Sequence, residues 1–384
     1  MAIDFDKIPT PCFLLDEQSL EINLQILNLV QQNGKVKIIC ALKGFSFWRE
    51  FPLVGHYLSG AAASSLNEAR LIVEEMSVEA HTYCPAYKDE EFDTILAYSS
   101  HLTFNSLSQY DRFYKRTKSF GKKVSLGLRI NPEYSEVKTD LYNPAMEGSR
   151  LGIVCSEFGN RLPEGIEGLH FHVLCENDSY TLERTLTEVE KKFGDLISQA
   201  KWINMGGGHL ITNEGYDVEH LVKLLEDFRK RYPNLEEVIL EPGEAVGWQT
   251  GFLVTSVQDI IACKDFHIAM IDASFACHMP DCLEMPYKPD ILHAKEPEKT
   301  DKYVYRIGGN SCLAGDFMGM GDYAFEQPLE VGEKIVFEDM IHYTMVKTTF
   351  FNGVQHPHIG VLTKTGEFIL LRSFGYEDYK GKLS

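Results

Sequence analysis

Ile38-Ile39-Cys40-Ala41-Leu42-Lys43-Gly44-Phe45 is a run of apolar and small residues that ends in one lysine and a glycine. Unbroken apolar character over this length is the pattern of a strand buried on both faces of a parallel sheet. Such a strand delivers Lys43 to its C-terminal end. Two readings of the lysine are open at this point. In one, burial disfavours the ammonium, lowers its pKa and leaves a nucleophilic amine suited to Schiff-base chemistry. In the other, the stem lies along the sheet and the charge snorkels into water.

Similar runs recur on either side, with helix-like stretches such as 65–76 and 180–200 between them. They span 36–43, 56–63, 80–86, 101–105, 123–131, 166–173, 201–206 and 237–243. Eight strand-and-helix units over this length predict a (β/α)8 TIM barrel, whose reacting groups lie at the C-terminal ends of the strands. After Val246 the pattern changes to alternating runs, clearest at 252–261, 267–273, 302–307, 333–337 and 358–372, with turn residues between. These predict a smaller, mostly antiparallel β-barrel domain. The expected division is 16–245 for the barrel and 1–15 with 246–384 for the β domain, the N-terminal strand joining the latter. Residues 281–297, rich in Pro and charge, read as an ordered loop, and the tail after Gly375 as frayed.

A length of 384 residues suits one large and one smaller core, and 44% hydrophobic with 24% charged residues is ordinary for a globular protein. A net charge of -19 argues against nucleic acid or an anionic membrane as partner and is compatible with a cationic substrate. The N-terminus lacks a signal-peptide pattern and no apolar run is long enough to span a bilayer, so a cytoplasmic location is expected. Nine cysteines without paired CxxC spacing do not suggest a disulfide framework, and Cys277-His278 with Cys282 lacks a second ligand pair, so no metal is expected.

The strand ends carry the chemistry. Gly206-Gly207-Gly208 after the seventh strand offers unhindered backbone N–H groups, suited either to a phosphate or to an ordinary tight turn. In barrels the late loops favour the phosphate. Glu241, in Glu241-Pro242-Gly243, places a carboxylate at the barrel mouth, where it can pair with a protonated pyridine nitrogen. His172 suits stacking on such a ring, or a hydrogen-bonded place in the core. An amine, a phosphate cradle, a carboxylate for a ring nitrogen and a flat side chain together describe a site for pyridoxal 5'-phosphate.

Seven short motifs, in order and over nearly the whole chain, carry a resemblance. They are Thr10-Pro11-Cys12-Phe13, Ala41-Leu42-Lys43, His172 in Phe-His-Val, Gly206-Gly207-Gly208, Glu241-Pro242-Gly243, Ser311-Cys312-Leu313-Ala314-Gly315-Asp316, and Tyr343. The set resembles the alanine-racemase-like, fold-type III pyridoxal-phosphate decarboxylases, which include diaminopimelate, ornithine and arginine decarboxylases. Glu241-Pro242-Gly243-Glu244-Ala245 and His278-Met279-Pro280-Asp281-Cys282-Leu283-Glu284-Met285-Pro286-Tyr287 resemble the branch acting on carboxynorspermidine and carboxyspermidine.

The resemblance implies that Lys43 holds the cofactor as a Schiff base, His172 stacks on its ring, and Glu241 pairs with the ring nitrogen. It implies that Gly206 to Gly208 and Gly243 hold the phosphate with Tyr343 closing over it. It further implies a homodimer with shared active sites, in which Cys312 enters the neighbouring subunit's site and returns a proton to the α-carbon, with acidic Asp316 beside it as a further substrate-binding residue. Diaminopimelate decarboxylases carry arginine where this chain has Glu244. The reversed sign favours a substrate with a distal amine, and Asp281 adds a second negative group. A carboxy-triamine fits. Three rivals remain in this reading. The first is another basic amino-acid or diaminopimelate decarboxylase of the fold, or a racemase, against which Glu241 argues. The second is a cofactor-binding protein without catalysis, against which the β domain argues. The third is a barrel that uses Lys43 with no cofactor.

Overall fold

The structure is a computed structural model that describes residues 3–264 and 266–384. The chain forms two compact units, Asn23–Val246, and Met1–Ile22 with Gly247–Ser384. Strand β1 (Cys12–Asp16) runs directly into helix α1 (Glu17–Gly34), and the division between the units falls inside that helix.

Within Asn23–Val246 the strands are β2 (Lys37–Ile38), β3 (Cys40–Ala41), β4 (Ala61–Ala63), β5 (Ala80–Tyr83), β6 (Ser99–Phe104) and β7 (Ser125–Asn131). They continue with β8 (Ile153–Val154), β9 (Ile166–His170), β10 (Trp202–Asn204) and β11 (Glu237–Leu240). All pair in parallel in the order β2-β11-β10-β9-β7-β6-β5-β4-β3, with β8 added on β7. The first stave closes the ring because β2 and β3 are one segment interrupted at Ile39. The Ile39 N–H donates to Leu240 O at 3.0 Å on one side and the Cys40 N–H to Gly60 O at 2.9 Å on the other. The result is the (β/α)8 barrel expected from the sequence.

The helices around it are α2 (Phe51–Tyr57), α3 (Leu66–Met76), α4 (Asp89–Tyr98), α5 (Leu107–Ser119), α6 (Ser179–Ile197), α7 (Val218–Arg231) and the single turn α8 (Glu244–Gly247). Several start where a side chain accepts from a first-turn N–H: Ser65 from Glu68, Ser106 from Gln109, Asp178 from Thr181 and Asp217 from His220. Each such cap contributes about 1 kcal/mol and fixes how soon after its strand the helix begins. Between β7 and β9 no α-helix forms; residues 132–165 make an irregular excursion that includes β8.

Two local expectations need correction. Residues 56–60 are not strand: Phe51, Val54 and Leu58 are buried at helical spacing, Pro52 opens the helix, and extended pairing begins only at Ala61. Lys43 is not in the strand but two residues past it, in a turn where the Gly44 N–H donates to Ala41 O at 3.0 Å. A Cβ on Gly44 would lie 2.8 Å from Glu244 N, so glycine is what lets this turn pack on the start of α8.

The second unit carries β12 (Gly251–Ala262), β13 (His267–Ile271), α9 (Phe275–His278), α10 (Asp281–Glu284), β14 (Ala294–Lys295), β15 (Tyr303–Gly308) and β16 (Tyr323–Phe325). It ends with β17 (Lys334–Glu338), α11 (Tyr343–Val346), β18 (His358–Leu362), β19 (Phe368–Arg372) and α12 (Tyr376–Leu383). With β1 these strands make one mostly antiparallel sheet, in which β1 pairs antiparallel with β12 and parallel with β18. The tail is helical rather than frayed, because Asp378 accepts from the Gly375 N–H at 2.9 Å and pairs with Arg372 at 2.7 Å. Among the described residues no helix is long and apolar enough to cross a membrane.

Candidate active site

The C-terminal ends of the barrel strands bring together Lys43 after β3, Arg129 on β7, His170 at the end of β9 and His172 beyond it, Asn204 at the end of β10, Gly206–Gly208 after it, and Glu241 after β11. Lys43 Nζ lies 3.0 Å from His172 Nε2, and the Gly207 N–H donates to His172 Nδ1 at 3.2 Å. A backbone N–H can only donate, so Nδ1 is the acceptor and the ring proton sits on Nε2. Nε2–H then donates to Lys43, which accepts only as a neutral amine. Burial, followed by the nearby Arg129 charge, lowers the lysine pKa, and burial holds His172 neutral well below its usual range. The first of the two readings of Lys43 is therefore the one the fold supports.

Glu241 is 14% exposed, and its Oε1 accepts from Asn204 Nδ2 at 2.6 Å. Burial raises its pKa, while Asn204, Lys43 and Arg129 oppose the rise. His170 Nε2 stands 3.6 Å from Glu241 Oε2, too far for a hydrogen bond, and both ring nitrogens of His170 are buried with no hydrogen-bond partner. Arg129 anchors the wall by donating to His172 O at 3.0 Å with its guanidinium 4.7 Å from the Tyr83 ring centre.

The glycine turn is packed against backbone. A Cβ would meet Phe171 O at 2.6 Å on Gly206, Glu241 O at 2.2 Å on Gly207 and Leu174 O at 2.0 Å on Gly208, and Gly206 and Gly208 have φ of +70° and +87°. The expected cradle of three amides is narrower than the sequence suggested. The Gly206 N–H donates to Asn204 Oδ1 at 2.9 Å and the Gly207 N–H to His172. Both are already used within the protein.

Glu244 opens α8, one residue beyond Gly243. Its charge helps to hold the Cys175 thiol up at about 12, after burial and Glu176, while Lys43 pulls the other way. Sequence reasoning did not single out Asn204, Tyr83, Cys175 or Glu68, whose carboxylate accepts from the Ser64 N–H at 2.5 Å and bears on Lys43. Asn204 had a signal: period two along β10 puts it on the same face as Trp202, inside the barrel.

The remaining candidates belong to the sheet unit. Cys312 is exposed, with its N–H bonded to Asn352 Oδ1 at 2.9 Å. Asp316, expected to bind substrate, is buried with both oxygens on backbone amides, Ala276 N and Ser311 N, each at 3.0 Å. It holds the loop that presents Cys312. Asp281 is not a free charge: it accepts from Lys347 at 2.8 Å and from Thr344 at 3.3 Å, because α11 brings that lysine beside α10. Tyr343 opens α11 and is partly exposed.

The barrel-end residues fit an aromatic aldehyde cofactor. A neutral amine, a buried carboxylate with one oxygen uncommitted to Asn204, and histidine nitrogens without partners stand beside a turn that only glycine can make. Comparison with known proteins agrees. The model of the family described as "Pyridoxal-dependent decarboxylase, C-terminal sheet domain" matches residues 13–341. A carboxyaminopropylagmatine decarboxylase of Synechocystis sp. is 51% identical, covering 98% of this chain and 96% of its own. The carboxynorspermidine/carboxyspermidine decarboxylase of Campylobacter jejuni is 46% identical, covering 98% of each chain. The crystal structure of carboxynorspermidine decarboxylase complexed with norspermidine, from the same organism, matches with a TM-score of 0.90 and 44% identity over 98% of this chain and all of that one. A barrel with a buried neutral lysine beyond one of its strand ends, and full-length similarity of this degree, place the chain plainly: it belongs to the pyridoxal-dependent decarboxylases, as a carboxy-lyase that works with pyridoxal 5'-phosphate.

Proposed function

We propose that this decarboxylase acts on carboxynorspermidine and carboxyspermidine, releasing CO2 to give norspermidine and spermidine in the cytoplasm. Glu244 carries the reading. It sets a carboxylate beside the mouth that holds Lys43, where a distal carboxylate of a substrate would be repelled and a distal amine attracted. Relatives over the full length that bear these substrates in their names support it. Asp281, committed to Lys347, contributes less than Glu244 in this account.

Pyridoxal phosphate, when bound, supplies an electron-withdrawing ring that accepts the electron pair left as CO2 departs. The chain's residues do the rest. Lys43 offers its neutral amine to hold the cofactor and His172 lies against the ring. Glu241 keeps a proton on the ring nitrogen. The Gly208 N–H, on a partly exposed residue, is left for the phosphate, with Gly206, Gly207 and Gly243 allowing close approach and Tyr343 as a further contact. Cys312 returns the proton to the α-carbon in the site of a second copy. Leu313, Met320 and Phe351 are exposed on the same unit, as a surface covered by another subunit requires. Mixing inactive Lys43→Ala and Cys312→Ala chains should then restore part of the activity. No rescue between chains shown to exchange would confine Cys312 to its own subunit.

A guanidinium-tailed substrate is the second reading, favoured by the 51% identity to an enzyme named for carboxyaminopropylagmatine. A CO2-release assay on carboxynorspermidine, carboxyspermidine, carboxyaminopropylagmatine, diaminopimelate, ornithine and arginine separates the two. Glu244→Gln should lower kcat/KM for the preferred cationic substrate by about ten- to a hundredfold, chiefly through KM. Unchanged constants would remove the case for recognition by Glu244.

A further inference from the structure

Among the described residues, Asn204 is the one side chain hydrogen-bonded to both the Glu241 carboxylate and the glycine turn. It is buried, and its two ends are used in opposite senses: Oδ1 accepts from the Gly206 N–H at 2.9 Å, and Nδ2 donates to Glu241 Oε1 at 2.6 Å. Which way round an asparagine amide sits is decided by the donors and acceptors that face it. The Gly206 N–H is only a donor, so the oxygen must face it and the NH2 group must face Glu241.

We infer that Asn204 is a positioning residue that holds Glu241 as an aligned hydrogen-bond acceptor, with Oε1 engaged by the amide and Oε2 left for the ring nitrogen of the cofactor. The inference rests on the proposed pairing of Glu241 with that nitrogen. A carboxylate held in a partly dry site needs a donor that favours its ionised form, and a neutral amide provides one without adding charge. The same residue pins Gly206, so the carboxylate and the turn are set by one rigid link across adjacent strands. Trp202, two residues earlier on the same face of β10, packs against Gly127 of β7 and Gly168 of β9 at the other end of the barrel.

The two functions of Asn204 can be separated. Asn204→Asp keeps an oxygen for the Gly206 N–H but replaces the donor to Glu241 by a second carboxylate, so the pair will retain a proton. Asn204→Ala removes both contacts. Each variant, with Glu241→Gln as reference, is stripped of cofactor and titrated with pyridoxal 5'-phosphate, and the absorbance of the bound cofactor is followed against pH beside kcat and KM.

For Asn204→Asp we expect cofactor affinity within about threefold of the parent, a spectroscopic pH midpoint moved by about one unit or more, and kcat lowered about ten- to a hundredfold with little change in KM. For Asn204→Ala the affinity falls as well. If Asn204→Asp does not fold, Asn204→Ser, which keeps a hydroxyl oxygen and drops the amide donor, carries the same test. An unchanged pH midpoint and kcat in the donor-less variant, with Glu241→Gln impaired, would overturn the inference while leaving the role of Glu241 intact. If Glu241→Gln is itself unchanged in both readouts, the pairing of Glu241 with the ring nitrogen fails, and the inference with it.

Discussion

The two ends of the barrel are built from similar residues to opposite effect. At the N-terminal end, His81 stacks on His101 at 4.0 Å, His101 faces Glu237 at 3.6 Å, and Lys37 pairs with Glu237 at 2.6 Å. Trp202 closes this end. A Cβ on Gly127 or Gly168 would fall 2.3 or 1.9 Å from its ring, and its indole N–H donates to Ser125 Oγ at 2.8 Å. Glycines there make room for the protein's own aromatic side chain. At the C-terminal end the glycines of the 206–208 turn make room for backbone, and His170 is left with two buried nitrogens that have no partner. One end is filled by its own side chains, which favours stability; the other keeps polar groups pointed at a space, which costs stability and serves chemistry.

The largest test of this contrast is at Lys43. Lys43→Ala should lower CO2 release by a factor of about 10³ or more. Turnover near the parental rate, with the cofactor's visible band intact, would mean that the C-terminal end is not the reacting end.

Trp202→Ala should do the reverse. Removing a buried indole should cost about 3–5 kcal/mol in a denaturant or thermal unfolding measurement. Turnover per folded molecule should change far less, because this ring packs on Gly127, Gly168, Ser125 and His101 at the N-terminal end. A large loss of turnover with unchanged stability would break the division between the ends.

Acid gives the smallest effect and touches both ends. Burial lowers the ring pKa of His81, His101, His170, His172 and His209, the last to about 4. Folded values below the unfolded value of about 6.5 mean that the unfolded chain binds more protons as pH falls. The stability tied to neutral rings is therefore complete above about pH 7.5 and is lost as pH drops through 6.5 towards the folded values. His209 alone should account for about 2 kcal/mol between pH 7.5 and pH 5. His209→Gln should flatten the curve by about that amount. A slope equal to the parent's would show that His209 titrates alike in the folded and unfolded chains.

Periodicity determined much of this protein. Short apolar runs alternating with helical stretches were enough for a barrel, and alternating runs after Val246 for a second sheet, because burial on two faces or on one writes itself into local sequence. Lys43, Glu241 and the glycine turn were legible because strand ends are where a barrel exposes reactive groups. Other features depended on chain segments distant in sequence. Residues 56–60 became the end of a helix and a bend rather than strand, because Phe51, Val54 and Leu58 are buried at helical spacing. Asp316 is engaged by Ala276 and Ser311 and Asp281 by Lys347, partners 5 to 66 residues away. The neutrality of Lys43 follows from a hydrogen bond between Gly207 and His172, and the orientation of Glu241 from Asn204. Hydrogen-bond direction depends on which donor faces which acceptor across strands, and only the tertiary structure decides that.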